Sequence, residues 1–75
     1  MDNDIFSTRI KNLRLNAKLS QKALGELIGL SMQAINDIEN VRSKTTLDRA
    51  CLLADYFGVS IDYLLGRTDN PKVNK

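Results

Sequence analysis

Histidine is absent from these 75 residues, and cysteine occurs once, at Cys51. Those two gaps remove most of the chemistry a small protein can offer. A structural zinc site needs a set of Cys or His ligands, and a Ser-His or Cys-His pair needs an imidazole. Neither can be assembled, so the sequence argues against an enzyme, a metal centre or a cofactor. A lone cysteine cannot close an intramolecular disulfide, which suits the reducing cytoplasm. Proline also appears once, at Pro71 in the polar C-terminal stretch. No apolar run approaches the ~20 residues that cross a bilayer. The N-terminus lacks the basic start and apolar core of a signal peptide. A membrane is therefore not an expected partner, and no small-molecule site is evident.

A large excess of one sign of charge is lacking as well. Eleven basic against nine acidic side chains leave a formal net charge of +2, which is weak evidence by itself, because polyanion binding depends on local positive charge. Arg9, Lys11, Arg14, Lys18 and Lys22 fall in or near the first two helical patterns, Arg42 and Lys44 come later, and the acids Asp48, Asp55, Asp62 and Asp69 lie towards the end. An apolar content of 43% is that of an ordinary globular chain. The length fits one small domain near the lower limit for folding without staples.

The most informative stretch runs from Gln21 to Asn40, QKALGELIGLSMQAINDIEN. Leu24, Leu27 and Ile28 form an apolar stripe at helical spacing. Gly29 closes that pattern, Leu30 plugs the turn, and Ser31 opens a second pattern carried by Ile35 and Ile38. Gln33, Asn36 and Asp37 lie off the second stripe and face outward. Two helices joined by a tight turn, the second showing amide side chains to solvent, is the geometry of a helix-turn-helix that reads a DNA major groove.

Three further helices complete the chain. The first is expected from about Asp4 to Ala17, with Phe6, Ile10, Leu13 and Ala17 on one face. Ser20 and Ser31 are N-cap candidates for the second and third. NVRSKT reads as a loop. A fourth helix starts at Thr45 or Thr46, where Thr45 with Asp48 resembles a capping box. Its expected buried face is Leu47, Ala50, Cys51, Ala54 and Phe57, with Gly58 as the left-handed terminator. On that face Cys51 is a packing residue and not a redox sensor. Ser60 opens a short fifth helix with Ile61, Leu64 and Leu65, stopped by Gly66. The expected organisation is a helix-turn-helix domain over 1–66, with its motif at 21–40, and a polar, mobile tail over 67–75 that has too few apolar groups to pack.

IKNLR in the first helix, LSQKALGELIGLS across the turn, INDIEN in the third helix and GVSIDYLLG near the end together resemble the phage-repressor and Cro-type, or XRE-like, helix-turn-helix family. The resemblance covers about residues 9–66. It implies an all-α, compact five-helix lambda-repressor-like domain that binds double-stranded operator DNA, usually palindromic, as a homodimer, in a bacterium or its phage. It also implies that the third helix is the recognition helix. Met32, Gln33, Asn36 and Asp37 then fall where bases are read. Chemistry favours the amides of Gln33 and Asn36, which can pair with adenine N7 and N6. Met32 could meet a thymine methyl group or serve as surface packing. Asp37 could accept from cytosine N4, although phosphates would repel it. Ser20, Gln21, Ser31, Asn40, Arg42 and Lys44 match backbone-positioning places, with Gln21 bridging phosphate and recognition helix. The family pairs the arginine at Arg14 with the glutamate at Glu39.

The family usually has alanine where this chain has Gly25. That substitution costs up to ~1 kcal/mol of helix propensity and lets the two helices approach closely. Tyr56 and Tyr63 fit a dimer contact or ordinary partial exposure, and the stretch from Phe57 to Leu65, with Val59, Ile61 and Tyr63, offers a self-contact. The competing function keeps the fold but reads a protein, as an antitoxin or anti-repressor would, and Asp37 together with the modest charge keeps it open. The region after Gly66 is too short for an effector domain, which suits either a complete Cro-like regulator or a piece cut from a longer protein.

Overall fold

The computed structural model describes residues 3–40 and 46–72, and five α-helices lie among them: α1 Asn3–Asn16, α2 Gln21–Ile28, α3 Met32–Glu39, α4 Leu47–Phe57 and α5 Ile61–Leu64. There is no strand among the described residues. No helix there is long and apolar enough to cross a membrane. The all-α architecture follows the helical periodicity of the sequence.

Local chemistry fixes most of the boundaries. Ser20, Ser31, Thr46 and Ser60 each sit in extended backbone before a helix, and each side-chain oxygen accepts from the backbone N–H three residues on. These acceptors satisfy first-turn donors that have no partner within the helix. The α4 cap is Thr46, bonded by Arg49, so Asp48 does not occupy the capping-box position three residues from the cap. Thr45 lies outside the described residues.

The C-terminal ends of α4 and α1 share one device. After α4, Val59 N–H donates to Ala54 O and Gly58 N–H to Asp55 O, with Gly58 at φ 67°. This crossed pair needs a left-handed residue, the role glycine fills without a steric penalty. The end of α1 has the same two bonds, Leu19 N–H to Arg14 O and Lys18 N–H to Leu15 O, but the left-handed position is Lys18, at φ 60°. A left-handed L-residue costs roughly 1–2 kcal/mol. Lys18→Gly should therefore raise stability by about 0.5–1 kcal/mol after the entropy glycine adds to the unfolded chain, seen as a higher Tm. An unchanged or lower Tm would mean that the lysine side chain offsets its own strain.

The core is Phe6, Ile10, Leu24, Ile35, Ile38, Ala50, Leu53, Ala54, Val59 and Leu64. Helix α2 packs most extensively on α3, α1 bridges α3 and α5, and α4 rests on α5 and α2. Several expected faces are rotated. Leu27 is 56% exposed, because α2 turns its Leu24–Gly25 side inward. On α4 the buried stripe is Ala50, Leu53 and Ala54, with Phe57 half-buried, while Leu47 is 71% exposed and Cys51 is also at the surface. Cys51 is thus not a core residue. Ala17 is exposed beyond the end of α1.

Gly25 is where the motif closes. A Cβ there would lie 2.4 Å from the Leu30 carbonyl oxygen, and Leu30 N–H donates to Gly25 O at 2.8 Å. The turn backbone therefore lies against α2 more closely than a methyl group allows, which is what the sequence's departure from alanine permits.

The C-terminal stretch has few apolar groups, yet polar contacts tie its described part down. Arg9 Nη1 donates to the carbonyls of Tyr63 and Thr68, and Nη2 to Asp69 at 2.8 Å. Its guanidinium also lies 4.1 Å from the Tyr63 ring centroid, a cation–π arrangement. Ser60 N–H donates to Pro71 O at 3.0 Å. Val59 is buried, and Ile61 and Tyr63 are half-buried against the core. The short fifth helix is covered better than its length suggests.

Candidate nucleic-acid interface

The exposed end of α3 is built from its cap outward. Ser31 Oγ accepts from Ala34 N–H at 3.0 Å, leaving the hydroxyl proton free to donate elsewhere. Ser20 does the same at the head of α2, accepting from Ala23. Met32, at 54%, and Gln33 are exposed on the first turn of α3, while Asn36 and Asp37, one turn on, are half-buried. Ile35 and Ile38 point into the core, so the two sides of this short helix are clearly divided.

A chain of hydrogen bonds holds α3 in place. Arg14 grips Glu39 through two bonds, Nε to Oε2 at 2.6 Å and Nη2 to Oε1 at 2.9 Å. Its remaining Nη1 donates to Leu19 O at 2.7 Å. Glu39 Oε1 also accepts from Gln21 Nε2 at 3.1 Å, and Gln21 Oε1 accepts from Asn36 Nδ2 at 3.3 Å. Each donor is satisfied by the next acceptor, and the series ends on a carboxylate that only accepts. It joins α1, α2 and α3 at one point. The Glu39 carboxylate raises the Arg14 pKa, through the hydrogen bond first and by charge attraction as well, against the opposing effect of burial.

Ser7, buried on α1, donates to the Ile38 carbonyl. Positions 7 and 14 are two turns apart and share a helix face. That face therefore clamps consecutive residues, Ile38 and Glu39, at the end of α3. The Ser7 contact carries no sequence motif, and its only forewarning is its place beside the Phe6–Ile10 stripe.

Of the positions singled out in sequence, Arg14, Gln21, Asn36 and Glu39 come together in this network. Gln33 and Asp37 form a separate pair at 2.9 Å. Asn40 ends α3, its Nδ2 donating to Asn36 O at 2.8 Å. Arg42 and Lys44 lie outside the described residues. Arg9 and Arg14 are both engaged within the protein, whereas Lys18 and Lys22, on either side of the α2 cap, are exposed. Among the described residues, no group of three or more His, Cys, Asp or Glu side chains is placed to hold a metal.

A family model described as helix-turn-helix matches residues 10–64. The chain is also similar to the uncharacterized HTH-type transcriptional regulator YobD of Bacillus subtilis (strain 168). The two are 36% identical over 67 residues, which cover 89% of this chain and 60% of that protein. The chain thus spans about 60% of the length of the relative it matches.

Proposed function

The chain belongs to the helix-turn-helix family, and from that premise we propose that it is a sequence-specific, double-stranded-DNA-binding transcriptional regulator that acts as a repressor. One observation carries the reading: the polar side of α3 stands at the surface on a helix that four side chains from three helices lock against the body. A reader must hold its side chains in fixed register to the base edges, and a rigidly mounted helix does so. Met32, Gln33, Asn36 and Asp37 form the base-reading set. Ser20, Gln21, Ser31, Asn40, Arg42 and Lys44 position the DNA backbone. Asn36 and Gln21 reach DNA from within the network, which makes their geometry the least adjustable. This is a binding role and not a catalytic one, performed in the cytoplasm on a palindromic operator by two copies of the chain.

The direct test is selection of bound sequences from a random duplex pool, followed by titration of salt. A DNA reader enriches a defined site and loses affinity steeply as salt rises. A module that reads protein would enrich nothing and would not be retained on heparin at low salt. Within the selected site, Gln33→Ala should remove ~1–3 kcal/mol of discrimination at one base position and change random-duplex binding much less. Equal loss on both would make Gln33 a positioning residue.

A further inference from the structure

The amide of Gln33 is engaged in the free protein. Its Nε2 donates to Asp37 Oδ1 at 2.9 Å, across one turn of the exposed side of α3. A carboxylate only accepts hydrogen bonds, so the bond distinguishes the two ends of the amide. Nε2 faces Asp37, and Oε1 faces away from it. One of the two amide hydrogens is thereby taken, leaving a single N–H donor beside a free carbonyl acceptor.

That remaining pair has a definite complement. Adenine presents an acceptor at N7 and a donor at N6 in the major groove, which one N–H and one carbonyl can meet together. Guanine presents two acceptors, N7 and O6. To satisfy both, Gln33 would have to offer both amide hydrogens, and Asp37 holds one of them. The free Oε1 would instead face guanine O6, acceptor against acceptor. The Asp37 carboxylate lies on the same side of the helix and adds negative charge near any such contact.

We propose that Asp37 is a specificity-determining residue: it fixes the Gln33 amide so that this side chain accepts adenine and rejects guanine. The inference rests on the reading of α3 as the recognition helix. It gives Asp37 a role in addition to any base contact of its own, and it accounts for an acidic side chain on a surface that approaches phosphates. Asp37 acts here through Gln33, as a positioning residue.

The test compares sites selected from a random duplex pool by the unaltered chain and by Gln33→Ala, Asp37→Ala and Asp37→Asn. The position at which Gln33→Ala loses its preference is the one Gln33 reads. The unaltered chain should prefer adenine to guanine there by about tenfold or more. Asp37→Ala should reduce that preference at the Gln33 position to a few-fold. Asp37→Asn, whose carbonyl can still accept from Nε2, should keep most of it. Rescue by asparagine separates orientation of the amide from simple charge repulsion, which both variants remove. An undiminished preference in Asp37→Ala overturns the inference, as does a base other than adenine at the Gln33 position. If the unaltered chain enriches no sequence, the DNA-reading function falls first and this inference falls with it.

Discussion

Glu39→Ala should cost about 3–5 kcal/mol, the range seen when one partner of a buried ion pair is removed. The side chains of Arg14 and Glu39 are only 9% and 2% exposed, so the guanidinium left behind would lose its counter-charge in a place water barely reaches. It would keep its bond to Leu19 O, but a carbonyl dipole does not replace a carboxylate. Gln21 Nε2 would lose its acceptor as well, and the Gln21–Asn36 link would lose its anchor. A domain of this length has roughly 4–11 kcal/mol in total, at about 0.05–0.15 kcal/mol per residue. The variant should therefore melt more than ~10 °C below the parent or be unfolded outright. The double change Arg14→Met with Glu39→Leu should recover most of the loss, because it leaves no buried charge. A cost under ~1 kcal/mol for Glu39→Ala would place the pair with exposed salt bridges. The pH dependence contributed by Arg14 has a defined sign. Because the Arg14 pKa is raised on folding, its contribution is complete below the unfolded value. It is lost only as pH rises through the still higher folded value, so this group gives no pH dependence near neutrality.

The double variant also separates stability from positioning. It should fold, yet it would hold α3 through apolar contact, the Ser7–Ile38 bond and a Gln21–Asn36 bond no longer anchored on Glu39. Selected sites should then be bound with less discrimination by a chain of near-normal Tm. That outcome would assign the network to the register of the reading helix.

Features set by nearest neighbours were legible in the sequence, and those set by partners distant in the chain were not. Ser20, Ser31 and Ser60 cap the helices they precede because the acceptor and the free N–H are three residues apart. Gly29 and Gly58 end α2 and α4 for the same local reason. The buried side of α4 was ambiguous, since the helix carries two apolar stripes. Leu47, Cys51 and Ala54 form one, and Ala50, Leu53, Ala54 and Phe57 form the other. Periodicity fixes the period and not the phase, which depends on where α2 and α5 lie. In α2 the burial of Gly25 decides the matter: the face centres between Leu24 and Ile28 on the glycine side, which sends Leu27 outward.

Arg9 shows the limit more clearly. Its partners Tyr63, Thr68 and Asp69 lie 54 to 60 residues away, and no local pattern announces them. In sequence it belonged with the basic residues around the first two helices; in the structure it fastens the stretch that follows α5 to α1. The Arg14–Glu39 contact is equally non-local, and the family resemblance alone supplied that pairing. The amide-bearing side of α3 lay between these extremes. Its outward direction followed from the Ile35–Ile38 stripe, whereas the bond that orients Gln33 required coordinates.

A palindromic duplex should bind two chains, and a single half-site should bind much more weakly. The reason is the size of the reading surface: α3 has eight residues, and the proposed base-reading set takes four of them, enough for only a few base pairs. Specific binding exceeds non-specific binding by about 4–10 kcal/mol in proteins that find genomic sites. If two copies share that margin equally, removing one half-site costs about 2–5 kcal/mol, roughly 30- to 4,000-fold in affinity. Two-fold symmetry would set the two α3 helices in successive major grooves, about 34–36 Å apart. Burial argues for a self-contact other than the Phe57 to Leu65 stretch expected from sequence. Val59 is buried, and Tyr63 lies under Arg9, so these two side chains have little surface left to offer a second copy. Leu52 and Tyr56, 43% and 42% exposed and one turn apart on α4, are the apolar side chains left open beside the α4–α5 end. Such a patch is small, so the free chain should be monomeric at micromolar concentration and pair on the operator. Sedimentation or native mass spectrometry against the selected palindrome should give a two-to-one complex, and Leu52→Glu should convert it to independent half-site binding without changing the bases selected. A one-to-one complex with full affinity for the half-site would exclude the dimer.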